Sequence, residues 1–172
     1  RKALAVAFLF ALSISPASSE TKTLFFGTGG RESKGIYSAT FNTGNGKFTR
    51  AKLAAEIGSP GFLAFHPDGD KLYAVARWDK EAGAVGYRIK AGGELEEFTR
   101  MACPDGGGAH IAVHPSGKFL LTAQYGGGST AHFPIDDAGV LGAPTILEHE
   151  GGSGVVPRRQ EAPHPHWCGF SR

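Results

Sequence analysis

Two stretches, Gly61–Val75 (GFLAFHPDGDKLYAV) and Ala109–Ala123 (AHIAVHPSGKFLLTA), align without a gap. His66-Pro67 falls on His114-Pro115, so the second copy follows the first after 48 residues, from 66 to 114. Each copy reads as an apolar strand, a four-residue turn and another apolar strand. The turn chemistry is explicit. Proline in second place presets φ, aspartate or serine follows, and glycine sits fourth, as a type I turn prefers. Alternation along the second strand predicts that Leu72 shares a face with Ala74, and Phe119 with Leu121.

The remainder of the unit repeats as well. Gly35-Ile36-Tyr37 to Phe48, Ala84-Val85-Gly86 to Leu95, and Ser129-Thr130-Ala131 to Leu141 each read as a strand, a polar turn containing glycine, and an apolar residue opening another strand. Four short strands recurring with this period, with no helical stripe in competition, predict an all-β chain built as a β-propeller of four-stranded blades. About three units fit after Thr23. Cys168-Gly169-Phe170-Ser171 aligns with Leu63–His66 and Ile111–His114, so a further inner strand is expected to start there, with Cys168 as a buried thiol. Three blades would leave two raw sheet edges. The sequence therefore reads as part of a longer chain.

Composition agrees with this class. The 26 glycines among 172 residues are about twice the usual share and cluster between apolar runs, as tight turns require. Arg1-Lys2, the apolar run Ala3–Ile14 and the small residues Pro16–Ser19 have the layout of a secretory signal peptide. The run is too short to span a bilayer. Residues 1–19 are thus expected to be a signal, and residues 20–172 a partial propeller exported to the periplasm or secreted, with no membrane attachment after cleavage. Without Arg1 and Lys2 the 18 basic residues become 16, equal to the 16 acidic ones. A near-neutral chain lacks the bulk positive charge of a nucleic-acid binder. Cys103 and Cys168 form no framework; a disulfide between them and two separate thiols both stay open.

Chemistry concentrates near the C-terminal end. In an extended His164-Pro165-His166 both imidazoles point the same way, just ahead of the predicted inner strand. His110, after Gly106–Gly108, opens the preceding inner strand. Histidines converging on a channel mouth suit general acid–base work or donation to an oxyanion. Loop histidines bonded to carbonyls are the plainer alternative, and the spacing fits no common zinc signature. Arg158-Arg159-Gln160-Glu161 can bind a carboxylate or phosphate, or form a solvated loop. Neither glycine run is a phosphate loop, since no Lys-Ser/Thr and helix follow; Gly126–Gly128 reads as a hairpin turn. His66 and His114 are expected in turns, and Trp78 and Trp167 in packing.

The repeat AHIAVHPSGKFLLTAQYGGGST, the segment RRQEAPHPHWCGFS and the opening LFFGTGGRESKGIYSATFNTGNGKFT resemble the lactonase family of seven-bladed propellers. The family includes bacterial 6-phosphogluconolactonases and fungal carboxymuconate-lactonizing cyclases. The resemblance runs from Thr23 to Ser171 and implies about three of seven blades. It implies a site at the propeller axis without metal or other cofactor, and a small-molecule lactone as substrate. It maps the family's histidine onto His164 or His166, with His166 favoured because it lies nearer the inner strand. Arg159, Gln160, Glu161 and His110 are then expected to shape the substrate site. Gln124 stands where the family often has asparagine, and Gly108-Ala109 where it often has Pro-Cys. Hydrolysis of a sugar lactone is the leading expectation. A lactonizing cyclase and a non-catalytic exported binding propeller are the alternatives.

Overall fold

A computed structural model describes residues 20–30 and 32–171; the signal expected over residues 1–19 lies outside the described residues. The chain forms three antiparallel sheets in succession. The first holds β1 (Thr21–Phe26), β2 (Gly35–Asn42), β3 (Lys47–Phe48) and β4 (Lys52–Glu56). The second runs in order through β5 (Leu63–Phe65), β6 (Lys71–Trp78), β7 (Glu81–Ile89) and β8 (Leu95–Ala102). The third runs through β9 (His110–Val113), β10 (Phe119–Gln124), β11 (Ser129–Pro134) and β12 (Thr145–Glu148). Each is a meander of neighbouring strands, and the aligned copies become the β5–β6 and β9–β10 hairpins, as the turn chemistry predicts.

The sheets stack face to face, and β6 shows how. Its residues 71–76 are all buried. Alternation sends Ala74 and Ala76 toward Ile36 and Ile57 of the first sheet's unit, with Val85 and Tyr87 alongside. Tyr73 and Val75 go the other way, to Ile111, Leu120, Ala131 and Phe133 of the third sheet. Residues 72–76 of β6 and 82–87 of β7 have no solvent face, which is why both runs are apolar side chains and glycine. Directed bonds add register. Tyr73 Oη donates to the Gly139 carbonyl at 2.6 Å, and the Leu141 amide donates to Thr99 Oγ1 at 3.1 Å.

Four details depart from the repeat. The first unit has only three strand positions, because β3 and β4 both pair with the same edge of β2 and act as one interrupted outer strand. Leu141 opens no strand: it makes an isolated bridge with Ile135, and β12 starts at Thr145. Residues 168–171 are not a strand either, although Cys168 is buried and Phe170 packs edge-on against His114 and Phe119. Trp167 is 70% exposed rather than packed. Both cysteines are free and buried, which settles the open question of their pairing.

The order of the hairpins fixes what lies at each end. Inner strands β5 and β9 begin at one end and run toward the His-Pro turns at the other. The antiparallel return therefore brings the β6–β7 and β10–β11 turns back to the starting end. The connectors into the inner strands lie there too: residues 57–62, 103–109 and 149–167. This end, called the entry end below, collects His110, His164 and His166. His66 and His114 stay at the far end, where His66 Nε2 meets the Gly117 carbonyl at 3.0 Å and His114 Nδ1 accepts from the Ser116 amide at 3.0 Å.

Close packing makes a stability test available. A Cβ on Gly86 would lie 2.6 Å from Thr99 Cγ2 and 2.8 Å from Tyr73 Cε1, and the Tyr73 ring is fixed by its bond to Gly139. Gly86→Ala is expected to lose about 1–3 kcal/mol in denaturant unfolding, the usual cost of overpacking. Gly126→Ala, whose Cβ would meet nothing within 4 Å, is expected to stay within about 0.5 kcal/mol.

Candidate active site at the entry end

The repeat places Phe62, His110 and Trp167 at equivalent positions, each at the start of an inner segment. Their rings meet. Phe62 and His110 have centroids 4.1 Å apart, and His110 and Trp167 5.6 Å apart. His110 is held between two aromatic neighbours and only 7% of it is exposed.

Two contacts from Cys168 meet its Nδ1. The Cys168 amide donates to His110 Nδ1 at 3.4 Å, and Cys168 Sγ lies 3.5 Å from the same nitrogen. Burial lowers the His110 pKa below its ordinary 6.5, and the nearby His166 charge lowers it further. Burial pushes the Cys168 thiol up to about 11, so it stays a neutral thiol.

His164 sits against the β10–β11 turn. Its Nδ1 is 2.9 Å from the Tyr125 carbonyl oxygen, and its ring stacks on the Tyr125 ring at 4.6 Å and 18°. A carbonyl only accepts, so neutral His164 carries its proton on Nδ1 and leaves an Nε2 lone pair. His166 is exposed and meets the other aspect of the same tyrosine edge-on, at 5.8 Å and 87°. The expected gathering of His110, His164 and His166 is thus organised by Tyr125 and Trp167. The turn beneath is itself braced, because Ser129 Oγ donates to the Asp105 carboxylate from the neighbouring connector.

The Arg159–Glu161 segment is placed differently. Gln160 Oε1 accepts from Ser153 Oγ at 3.0 Å and from the Val156 amide at 3.1 Å, so this side chain closes its own loop. Arg159 and Glu161 are exposed, and no ion pair among the described residues involves either.

The cationic groups with a cleft beside them are others. Arg77 and Lys80 line a cleft of about 370 Å³ with Glu81, Cys103, Pro104 and Gly106. Glu81 is engaged by Trp78 Nε1 at 2.9 Å, whereas Arg77 and Lys80 have no carboxylate partner among the described residues. The glycine run explains itself here. A Cβ on Gly107 would sit 3.1 Å from the Arg77 guanidinium, and one on Gly108 2.7 Å from Val75 Cγ1. The run lets the connector lie under Arg77 and carries it on to His110. The sequence signal for this cleft was weak: two cations flanking a hairpin turn, with no motif.

Comparison with known proteins follows from this geometry. The family described as "Lactonase, 7-bladed beta-propeller" matches residues 22–172. The chain is 33% identical over 140 residues to a 6-phosphogluconolactonase of Bacillus subtilis, covering 81% of this chain and 40% of that protein. It is 30% identical to a 6-phosphogluconolactonase of Formosa agariphila, covering 80% and 40%. The crystal structure of a candidate 6-phosphogluconolactonase from Bacteroides fragilis superposes with a TM-score of 0.75 at 29% identity, over 87% of this chain and 42% of that one. The chain spans about 40% of the length of the curated relatives it matches.

The environment of His110 gives a pH test. A histidine whose folded-state pKa is depressed contributes stability that is complete above its unfolded value and is lost as pH falls toward the folded value. Stability is therefore expected to decline as pH drops below 6.5. In His110→Phe the decline should be shallower, as read by denaturant unfolding near neutral pH and at about pH 5.

Proposed function

This chain belongs to the lactonase family of seven-bladed β-propellers, and we propose that it carries part of the active site of an exported enzyme hydrolysing a sugar lactone such as 6-phosphogluconolactone. The observation that carries this reading is the His164–Tyr125 contact, which leaves an imidazole lone pair at the entry end in a defined orientation. The names of the relatives supply the substrate class. The apolar run Ala3–Ile14 supports export.

The chemistry proceeds in balanced steps. His164 Nε2 takes a proton from water as the water oxygen bonds to the lactone carbonyl carbon. The carbonyl π-electrons move onto oxygen and return as the ring C–O bond breaks. The proton held by His164 passes to the leaving alkoxide, giving the open hydroxy acid. His164 has this role ahead of His166, because its ring is fixed by a hydrogen bond and a stacked partner while His166 is exposed with a single edge contact. Arg77 and Lys80 hold the substrate's anionic end in the neighbouring cleft.

Two measurements on the full-length protein test this. His164→Ala is expected to lower kcat about 10²–10⁴-fold, the usual worth of a positioned general base, with a smaller effect on KM. Wild-type activity in that variant, or a wild-type protein that opens no lactone, removes the reading. Arg77→Ala with Lys80→Ala is expected to raise KM for a phosphorylated lactone and leave the unphosphorylated lactone unaffected. An equal effect on both substrates rejects the anion role.

A further inference from the structure

The two buried or half-buried imidazoles at the entry end have opposite kinds of backbone partner. His164 Nδ1 faces a carbonyl oxygen, so its proton is on Nδ1 and its Nε2 is an acceptor. His110 Nδ1 faces the Cys168 amide, which can only donate, and also Cys168 Sγ at 3.5 Å, a weak acceptor whose claim on an Nδ1–H is opposed by that amide hydrogen. His110 Nδ1 therefore carries the lone pair, and in the neutral ring the proton is on Nε2. We infer that His110 is a catalytic residue that presents its Nε2–H to the lactone carbonyl oxygen as that oxygen becomes an oxyanion, opposite in tautomer to the base His164. The inference rests on the lactonase reading above.

Three observations support it independently of the family. First, a donor is available. The fully enclosed side-chain polar atoms without a partner, among the described residues, are Ser38 Oγ, Tyr87 Oη and Gln124 Oε1. His110 Nε2 has no protein acceptor there and is not one of these fully enclosed atoms. Second, the ring is kept neutral by its surroundings. An imidazolium would turn Nδ1–H against the Cys168 N–H. The remaining neighbours offer no compensating negative charge: Phe62 and Trp167 are apolar, Cys168 is a neutral thiol, and His166 adds positive charge when protonated. Third, the ring is pre-oriented. It is clamped between Phe62 and Trp167 and tied at Nδ1, so it needs no reorganisation as charge develops on the substrate. Sequence position alone marked His110 as a contact residue; the direction of the Cys168 hydrogen bond assigns its chemical role.

The test uses the full-length protein with ¹⁵N-labelled histidine. Long-range ¹H–¹⁵N spectra should show His110 protonated on Nε2 and His164 on Nδ1, with the His110 Nε2 signal moving on saturation with gluconate, an open-chain product acid. His110→Phe is the informative variant, because phenylalanine already occupies the equivalent position 62 and keeps the ring packing. It is expected to lower kcat about 10²–10³-fold, the usual effect of deleting one oxyanion donor, with KM little changed. His110→Gln, which restores an N–H at similar reach, should recover part of the loss. A His110 protonated on Nδ1, or a His110→Phe enzyme with wild-type kcat, overturns the inference while leaving the lactonase reading intact. Failure of wild type to open any lactone, with the tautomers as described, instead overturns the lactonase reading.

Discussion

Burial of β6 on both faces is the constraint on which the rest of the molecule depends. A strand whose odd residues serve one core and whose even residues serve another cannot shift register by one without exchanging Tyr73 for Ala74 at a tightly packed interface. The sizes on the two faces differ for a reason. Small alanines meet the first sheet, and the large Tyr73 ring reaches across to the third sheet and spends its hydroxyl on Gly139. Fixing β6 fixes the spacing of its neighbours, and with it the positions where β5 and β9 begin.

Those beginnings are where the histidines gather. Loops carry His164 and His166, as is usual when a rigid sheet scaffold positions candidate site residues. The loops here are less free than their composition suggests. Tyr125 lies in a two-sided embrace with His164 and His166, the turn containing it is braced by Asp105 through Ser129, and the preceding connector is pressed under Arg77. The scaffold thus transmits its order to the imidazoles through short contacts with backbone, not through long side-chain networks.

Much of the fold was legible because its punctuation is chemical. The His-Pro-Asp-Gly and His-Pro-Ser-Gly turns and the alternating strands name the β5–β6 and β9–β10 hairpins directly, and the gathering of His110, His164 and His166 follows once the period is known. What stayed hidden was set by tertiary contact. Trp167 looks like core by composition, yet it is 70% exposed at the entry end. Gln160 has the chemistry of a ligand contact, but Ser153 and Val156 claim its carbonyl. The Arg77–Lys80 cleft has no motif, because its cations are 3 residues apart around a hairpin and its floor comes from a connector some 25 residues further on.

Both imidazoles take their orienting hydrogen bond from the main chain, from Tyr125 O and Cys168 N. Every residue has a carbonyl, and every residue except proline an amide hydrogen, so these two bonds do not depend on which side chains occupy positions 125 and 168. Sequence can drift at position 168 without disturbing the proton pattern of the site, provided the backbone keeps its path. The heritable unit here is therefore a loop shape more than a set of letters. Distant relatives can differ at these positions and still hold their histidines in the same two states.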